Sequence, residues 1–134
     1  MAGPVIVVDA SAVVDAVASD TGRGRWARRR LADEDRLLAP ENVVAESAQA
    51  IRRLWRRGVL DTARAADALA DLHGLALVTF PATWLLGRAW ELRHNLTMTD
   101  GLYVALAEAT GAALVTCDGR IASAAGIGCR VVHP

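Results

Sequence analysis

The chain contains no lysine; all fifteen of its basic residues are arginine. It therefore has no P-loop lysine for nucleotide phosphates, no amine for a Schiff base and no lysine partner for a phosphorylated aspartate. An excess of one charge is missing too. Fifteen Lys+Arg balance fifteen Asp+Glu, which argues against a protein that coats nucleic acid or a polybasic membrane binder, so an anionic partner has to be met locally. Cys117 and Cys129 are the only cysteines. Their separation fits no zinc or redox pattern, and they read as buried reduced thiols. His73, His94 and His133 are equally dispersed. Without thiolate or imidazole clusters a soft-metal site is disfavoured, and any metal has to be held by oxygen. No apolar run approaches the ~18 to 20 residues of a bilayer span. The start Met1-Ala2-Gly3-Pro4 lacks the charged region of a signal peptide, so no membrane contact and a cytoplasmic location are expected.

What the sequence does hold is apolar mass. Of 134 residues, 53% are hydrophobic and 22% charged, enough for one core and a single domain over residues 1–134. Pro4-Val5-Ile6-Val7-Val8-Asp9 is an apolar run ending in an acid, the pattern of a strand buried on both faces of a parallel sheet. A helix follows, with Ser11 as its cap and Val13, Val14 and Val17 inward. An arginine-rich helix over about 23–33 precedes the strand Arg36 to Ala39, stopped by Pro40. Glu41-Asn42 opens a helix with Val43, Ser47, Ile51 and Leu54 inward, terminated by Gly58. Asp61 caps its hairpin partner, where Ala65, Leu69 and Leu72 face inward until Gly74. Leu75 to Phe80 reads as a strand. Leu85, Ala89, Leu92 and Leu96 form a helical stripe beyond it, and a helix from about Thr99 to Thr110 carries Leu102, Ala105, Leu106 and Ala109 on one face until Gly111. Ala113 to Asp118 repeats the apolar-run-then-acid design, followed by a short helix over 119–125 and a last strand over 130–132. Strands alternating with helices specify an α/β fold built on a parallel sheet.

In such a sheet every strand finishes on one edge, and ligands bind in the crevice outside those ends. Asp9 and Asp118 sit there. The helix near Thr99 leads into the strand ending at Asp118, so it begins on the same edge and brings Asp100 with it. Glu46 lies in the second turn of the helix after Pro40, which also starts there. Plainer accounts exist for each acid: Asp9 as a helix cap, Asp100 as a partner of a helix dipole, Asp118 as a turn residue before Gly119, Glu46 as a solvated surface residue. Together, however, four carboxylates in one crevice repel one another and raise each other's proton affinity. A hard divalent ion such as Mg²⁺ or Mn²⁺ resolves that conflict, and phosphodiester hydrolysis is its natural use.

The residues Val8-Asp9-Ala10-Ser11-Ala12, Glu46 after a proline, Thr99-Asp100 leading into an alanine-rich helix ending Leu106-Ala107-Glu108-Ala109, and Leu114-Val115-Thr116-Cys117-Asp118 resemble, in order, the PIN-domain nucleases. The compact length is similar to the VapC toxins of VapBC toxin-antitoxin pairs. The resemblance implies a PIN-like three-layer sandwich with a central parallel sheet of about five strands flanked by helices. It implies a Mg²⁺-dependent endoribonuclease whose metal site is Asp9, Glu46, Asp100 and Asp118, with Mn²⁺ as a possible substitute. It places the Ser11 and Thr116 hydroxyls beside the acids or a water of the site, and it implies a homodimer inhibited by a cognate antitoxin. Metal-assisted attack of water leaves a 5′-phosphate and a 3′-hydroxyl, whereas attack by the 2′-hydroxyl leaves a cyclic phosphate.

Two alternatives follow from the same residues: a PIN-like module that binds RNA or protein without cutting, and a phosphoaspartyl protein, which the missing lysine disfavours. Arg25, Arg28, Arg29 and Arg30, with the group from Arg52 to Arg57, are candidates to grip RNA phosphates, though arginines late in a helix also suit its dipole. Trp26, Trp55, Trp84 and Trp90 all fall on expected helices. They fit core packing or a subunit or antitoxin interface better than base stacking.

Overall fold

The computed structural model describes residues 5–134; Pro4, the first residue of the expected opening strand, lies outside them. Strand β1 (Val5–Val8) leads to helices α1 (Ala10–Ala18) and α2 (Gly22–Ala32), then β2 (Arg36–Pro40), α3 (Val43–Arg56) and α4 (Thr62–Gly74). Strand β3 (Leu77–Phe80) is followed by a 3₁₀ turn (Ala82–Trp84), α5 (Leu86–Glu91), α6 (Met98–Thr110), β4 (Ala113–Val115), α7 (Gly119–Ala122) and β5 (Val131–Val132). The strands form one sheet in the order β3-β2-β1-β4-β5, every neighbouring pair parallel. The expected α/β sandwich with about five parallel strands is the fold observed.

The apolar runs explain the order. Ile6, Val7 and Val8 of β1 and Leu37, Leu38 and Ala39 of β2 are buried, as are Leu114 and Val115 of β4. The edge strand β3 is half exposed. Helix α6 packs across β1, β2 and β4 and carries α5 on its far side. It is therefore buried without interruption from Gly101 to Ala107, which is why an amphipathic stripe describes it poorly. The order reverses between β1 and β4, since the chain first lays strands on one side of β1 and then on the other. That reversal opens a crevice beyond the carboxyl ends of these two strands.

Several expected details differ. Asp9, rather than Ser11, caps α1: its side chain accepts from the Ala12 N–H, while Ser11 lies within the first turn. A carboxylate one residue before the helix competes better for the free N–H groups than a hydroxyl already inside it. Leu69 is 44% exposed because α4 turns Ala65, Ala68 and Leu72 inward, and Ala109 is exposed at the end of α6. The stripe from Leu85 to Leu96 is split between the 3₁₀ turn, α5 and a turn, though Leu85, Ala89 and Leu92 are buried. Cys117 is buried, Cys129 only half-buried, and both are free thiols. Trp26 packs partly against the core, whereas Trp55, Trp84 and Trp90 are exposed, so core packing does not account for these three.

Two glycines set the path of the chain. A Cβ on Gly24 would lie 2.0 Å from the Ser19 carbonyl oxygen, so only glycine lets α2 fold back this tightly on α1. Gly111 has φ +72 and ends α6 in the left-handed conformation that feeds β4.

Candidate active site

The site is built where β1 and β4 end. Register places Val8 beside Val115, and the Asp9 N–H bonds the Val115 carbonyl at 3.2 Å. The next residues of the two strands, Asp9 and Thr116, are thereby held side by side. Asp9 is 5% exposed and Thr116 wholly buried. Thr116 Oγ1 donates to Asp9 Oδ2 at 2.5 Å, Ser11 Oγ donates to Oδ1 at 2.7 Å, and the Ala12 N–H bonds Oδ1 at 3.0 Å. The two hydroxyls also organise the turn after β4: the Cys117 N–H bonds Ser11 Oγ at 3.0 Å and the Asp118 N–H bonds Thr116 Oγ1 at 2.9 Å. Burial raises the Asp9 carboxyl above its ordinary value, against the pull of these hydrogen bonds, and the charge of Asp100 raises it further.

Glu46 reaches the crevice from the first turn of α3. Its Oε1 accepts from Asn42 Nδ2 and its Oε2 from the Tyr103 hydroxyl at 3.2 Å. Burial again raises its proton affinity, opposed by these two donors, with Asp100 and Asp9 adding repulsion. The spacing of the acids does not mark Tyr103, which lies three residues after Asp100 on α6 and so shares its face. The ring is 1% exposed. Burial and the neighbouring carboxylates keep the phenol protonated, so it acts as a donor.

Asp100 sits in the first turn of α6, whose N-cap Thr97 accepts from the Asp100 N–H. Burial raises its carboxyl, with a further contribution from Asp118. Asp118 differs from the other three. It caps α7 and receives the guanidinium fork of Arg120, the closest contact being 2.7 Å. That pairing holds its carboxyl below the usual range. The structure thus gathers Asp9, Glu46 and Asp100 into one field of mutual repulsion and sets Asp118 at its rim with a cation of its own.

The donors are all oxygen, and the buried Asn42 Oδ1 beside Glu46 has no hydrogen-bond partner. This chemistry fits a hard divalent cation. Among the described residues, no three acidic, histidine or cysteine side chains close around a common point as metal ligands do. The mutual repulsion spans a wider radius than a coordination shell, and the fit rests on the donor chemistry. A thiolate nucleophile is disfavoured, since burial, with Asp15 beside it, pushes the Cys117 thiol up to about 12.

The expected arginines sort unevenly. Arg25 donates to the Asp20 carbonyl, Arg28 to those of Ala16 and Ser19, and Arg30 lies over the Trp26 ring. Arg53, of the expected group, lines the same groove as Glu46, and Arg23, outside that group, lies there too: Nη2 donates to the Cys117 carbonyl and Nε lies 3.3 Å from Asp15. The close α1–α2 contact at Gly24 puts it there, a packing detail with no signal in the local sequence.

Residues 6–127 match the model of the PIN domain family. The chain is 40% identical over 126 residues to Ribonuclease VapC9 of Mycobacterium tuberculosis, covering 94% of this chain and 95% of that one. Among solved structures it is similar to Mycobacterium tuberculosis VapC20, described as a Sarcin-Ricin loop cleaving toxin, with TM-score 0.69, 23% identity and coverage of 96% and 99%. It is also similar in fold to VapBC2 from Rickettsia felis bound to a DNA fragment from their promoter, with TM-score 0.65, 16% identity and coverage of 97% and 98%. By sequence match along nearly its whole length, the chain belongs to the PIN-domain family, in its VapC branch.

Proposed function

We propose that the chain is one PIN unit acting as a Mg²⁺-dependent endoribonuclease, the toxin component of a toxin-antitoxin pair. One observation carries the reading: Asp9, Glu46 and Asp100 are buried or half-buried carboxylates whose proton affinities are all raised, and none forms an ion pair with a cation among the described residues. The relatives' names, as VapC ribonucleases, support RNA as the polymer cut.

In this reading Asp9, Asp100 and Asp118 would hold the ion, and Glu46 would either join them or orient the attacking water. When bound there, Mg²⁺ or Mn²⁺ would supply charge neutralisation for the phosphate and the leaving oxygen and would make water easier to deprotonate. The chain's own residues do the rest. Ser11 and Thr116 lock the rotamer of Asp9 by donating to both its oxygens. Tyr103 and Asn42 hold the Glu46 carboxylate from either side, leaving its remaining lone pairs toward the crevice. Asp118 is released to the site only by giving up Arg120, an exchange at an exposed side chain that costs little. Water displaces the 3′ oxygen, and the products carry a 5′-phosphate and a 3′-hydroxyl.

Cognate antitoxin and a second copy of the chain are the expected protein partners, and the cytoplasm the expected location. No helix of the described residues is long and apolar enough to cross a membrane. Two surfaces suit protein partners: an apolar groove of about 390 Å³ between α3 and α4, lined by Ile51, Trp55 and Leu69, and exposed Trp84, Leu86 and Trp90 at α5. The test is cleavage of cellular RNA with Mg²⁺ against EDTA, followed by end-group analysis. Cleavage only with Mg²⁺, leaving 5′-phosphates, is expected. Equal cleavage in EDTA, cyclic phosphates, or no cleavage by the antitoxin-free chain would overturn the reading.

A further inference from the structure

Beyond β4 the chain leaves the sheet through an irregular turn, Thr116-Cys117-Asp118, before α7 begins. Its last tie to the ladder is the Thr116 N–H on the Val132 carbonyl at 3.0 Å. The next two N–H groups hang on hydroxyls already engaged with Asp9: that of Cys117 on Ser11 Oγ at 3.0 Å and that of Asp118 on Thr116 Oγ1 at 2.9 Å. The Cys117 carbonyl accepts from Arg23 Nη2, 94 positions away in sequence.

We propose that Arg23 is a positioning residue for the acids: together with Asp15 it fixes the turn after β4, and with it the places from which Asp118 and the Thr116 hydroxyl serve the site. The proposal takes its effect on metal affinity from the cation reading of the acids. Its effect on the turn rests on hydrogen bonds alone.

Arg23 is itself held. Its Nε lies 3.3 Å from the Asp15 carboxylate on α1, which also lies against the buried Cys117 thiol. One guanidinium thus spans three parts of the fold, carried by α2, oriented by α1 and received by the turn. A rigid planar fork suits that task, because two of its nitrogens meet two acceptors at a set angle. Gly24 makes the reach possible. A Cβ there would lie 2.0 Å from the Ser19 carbonyl oxygen and 2.9 Å from that of Asp15, so a larger residue would lift α2, and Arg23 with it, away from α1. Neighbouring arginines do something else. Arg28 bonds the carbonyls of Ala16 and Ser19, and Arg64 that of Val17; these join helix to helix, whereas Arg23 joins a helix to the edge of the sheet where the acids stand.

The site needs that brace because Asp118 begins paired with Arg120 and has to turn toward an ion by rotating its side chain. The rotation ends at a defined place only if the backbone beneath it stays still. A loose turn would spread the carboxylate over many positions, and the cost of ordering them would oppose binding. It would also loosen Thr116 Oγ1, which accepts from the Asp118 N–H and donates to Asp9. Loss of an outer partner of a metal ligand typically costs 10- to 100-fold in affinity. The Arg23 side chain is 58% exposed, which places it at the lower end of that range.

The test is amide hydrogen exchange on the metal-free full chain, followed by calorimetric titration with Mn²⁺. In Arg23→Ala the Cys117 and Asp118 amides should exchange at least ~10-fold faster while those of β1 keep their protection, and Mn²⁺ should bind roughly tenfold more weakly. Arg23→Lys keeps a cation beside Asp15 and loses the fork; it should fall between Arg23→Ala and the wild type, and it carries the test if Arg23→Ala does not fold. Arg28→Ala removes a helix-joining guanidinium without touching the turn, and should lower the melting temperature with exchange in the turn and Mn²⁺ affinity unchanged. Wild-type exchange at Cys117 and Asp118 in the Arg23 variants would overturn the proposal, as would acceleration spread evenly over the domain or an equal loss of Mn²⁺ affinity in Arg28→Ala. Binding of Mn²⁺ by the wild type with the same affinity in Arg23→Ala would overturn the positioning role alone, whereas no binding by the wild type would overturn the cation reading itself.

Discussion

Helix α6 carries an acid near each end, and the two are treated in opposite ways. At its start, Asp100 is half-buried among Asp9, Glu46 and Asp118, with its proton affinity raised. Eight residues on, Glu108 receives Arg88 through Nε at 2.7 Å and Nη2 at 3.0 Å, and the Gly128 N–H at 2.6 Å. Its carboxyl is held below the ordinary value, the Arg88 fork being the largest cause. Arg88 also bonds the Gly126 carbonyl, so this end ties the segment before β5 to α5 and α6. A carboxylate with a structural task is matched by a cation from its own chain. Asp9, Glu46 and Asp100 at the other end have no such partner, which is costly unless a cation comes from outside.

Asp100→Asn should lower RNA cleavage at saturating Mg²⁺ by at least ~10²-fold while circular dichroism shows the fold intact; cleavage within a few-fold of wild type would place the chemistry elsewhere. Tyr103→Phe tests the support of Glu46 and should weaken Mg²⁺-dependent cleavage by roughly tenfold, in line with the loss of an outer hydrogen bond to a ligand. Wild-type behaviour of that variant would mean that Tyr103 merely fills the core.

The pH dependence of stability sharpens the contrast further. For Asp9, Glu46 and Asp100 the folded value is raised, so in the metal-free protein their contribution is complete below the ordinary 3.8 to 4.5 and is lost as pH rises through the folded values. For Glu108 it is lowered, so its contribution is present above 4.5 and lost as pH falls. Mg²⁺ should therefore raise the melting temperature more at neutral than at acid pH, and a pH-independent rise would contradict the account. The smallest effect is expected from Glu108→Gln: a lower melting temperature at neutral pH, with cleavage per folded molecule unchanged. A loss of cleavage equal to that of Asp100→Asn would erase the distinction between the two ends.

Much of this was legible in the sequence because topology does the placing. Two apolar strands ending in acids, and two helices that must start on the same edge, bring residues 9, 46, 100 and 118 to one side of a parallel sheet without any knowledge of side-chain packing. What stayed hidden depends on that packing. The Arg120 fork on Asp118 is a choice of rotamer at an exposed side chain, and Arg23 enters through the tight contact at Gly24. Tyr103 reads as another apolar core residue of α6 until its hydroxyl is seen on Glu46. The inward placement of Leu69 failed because α4 buries alanines instead and leaves the leucine lining a groove, an outcome that helical spacing alone does not decide.

Whether the unmatched acids hold a divalent cation is decided by calorimetric titration of the metal-free chain with Mn²⁺ and Mg²⁺. The wild-type protein should bind, with binding strongly weakened in Asp9→Asn and in Asp100→Asn and unaltered in Glu108→Gln. No binding by the wild type, or equal binding by all four proteins, would contradict it.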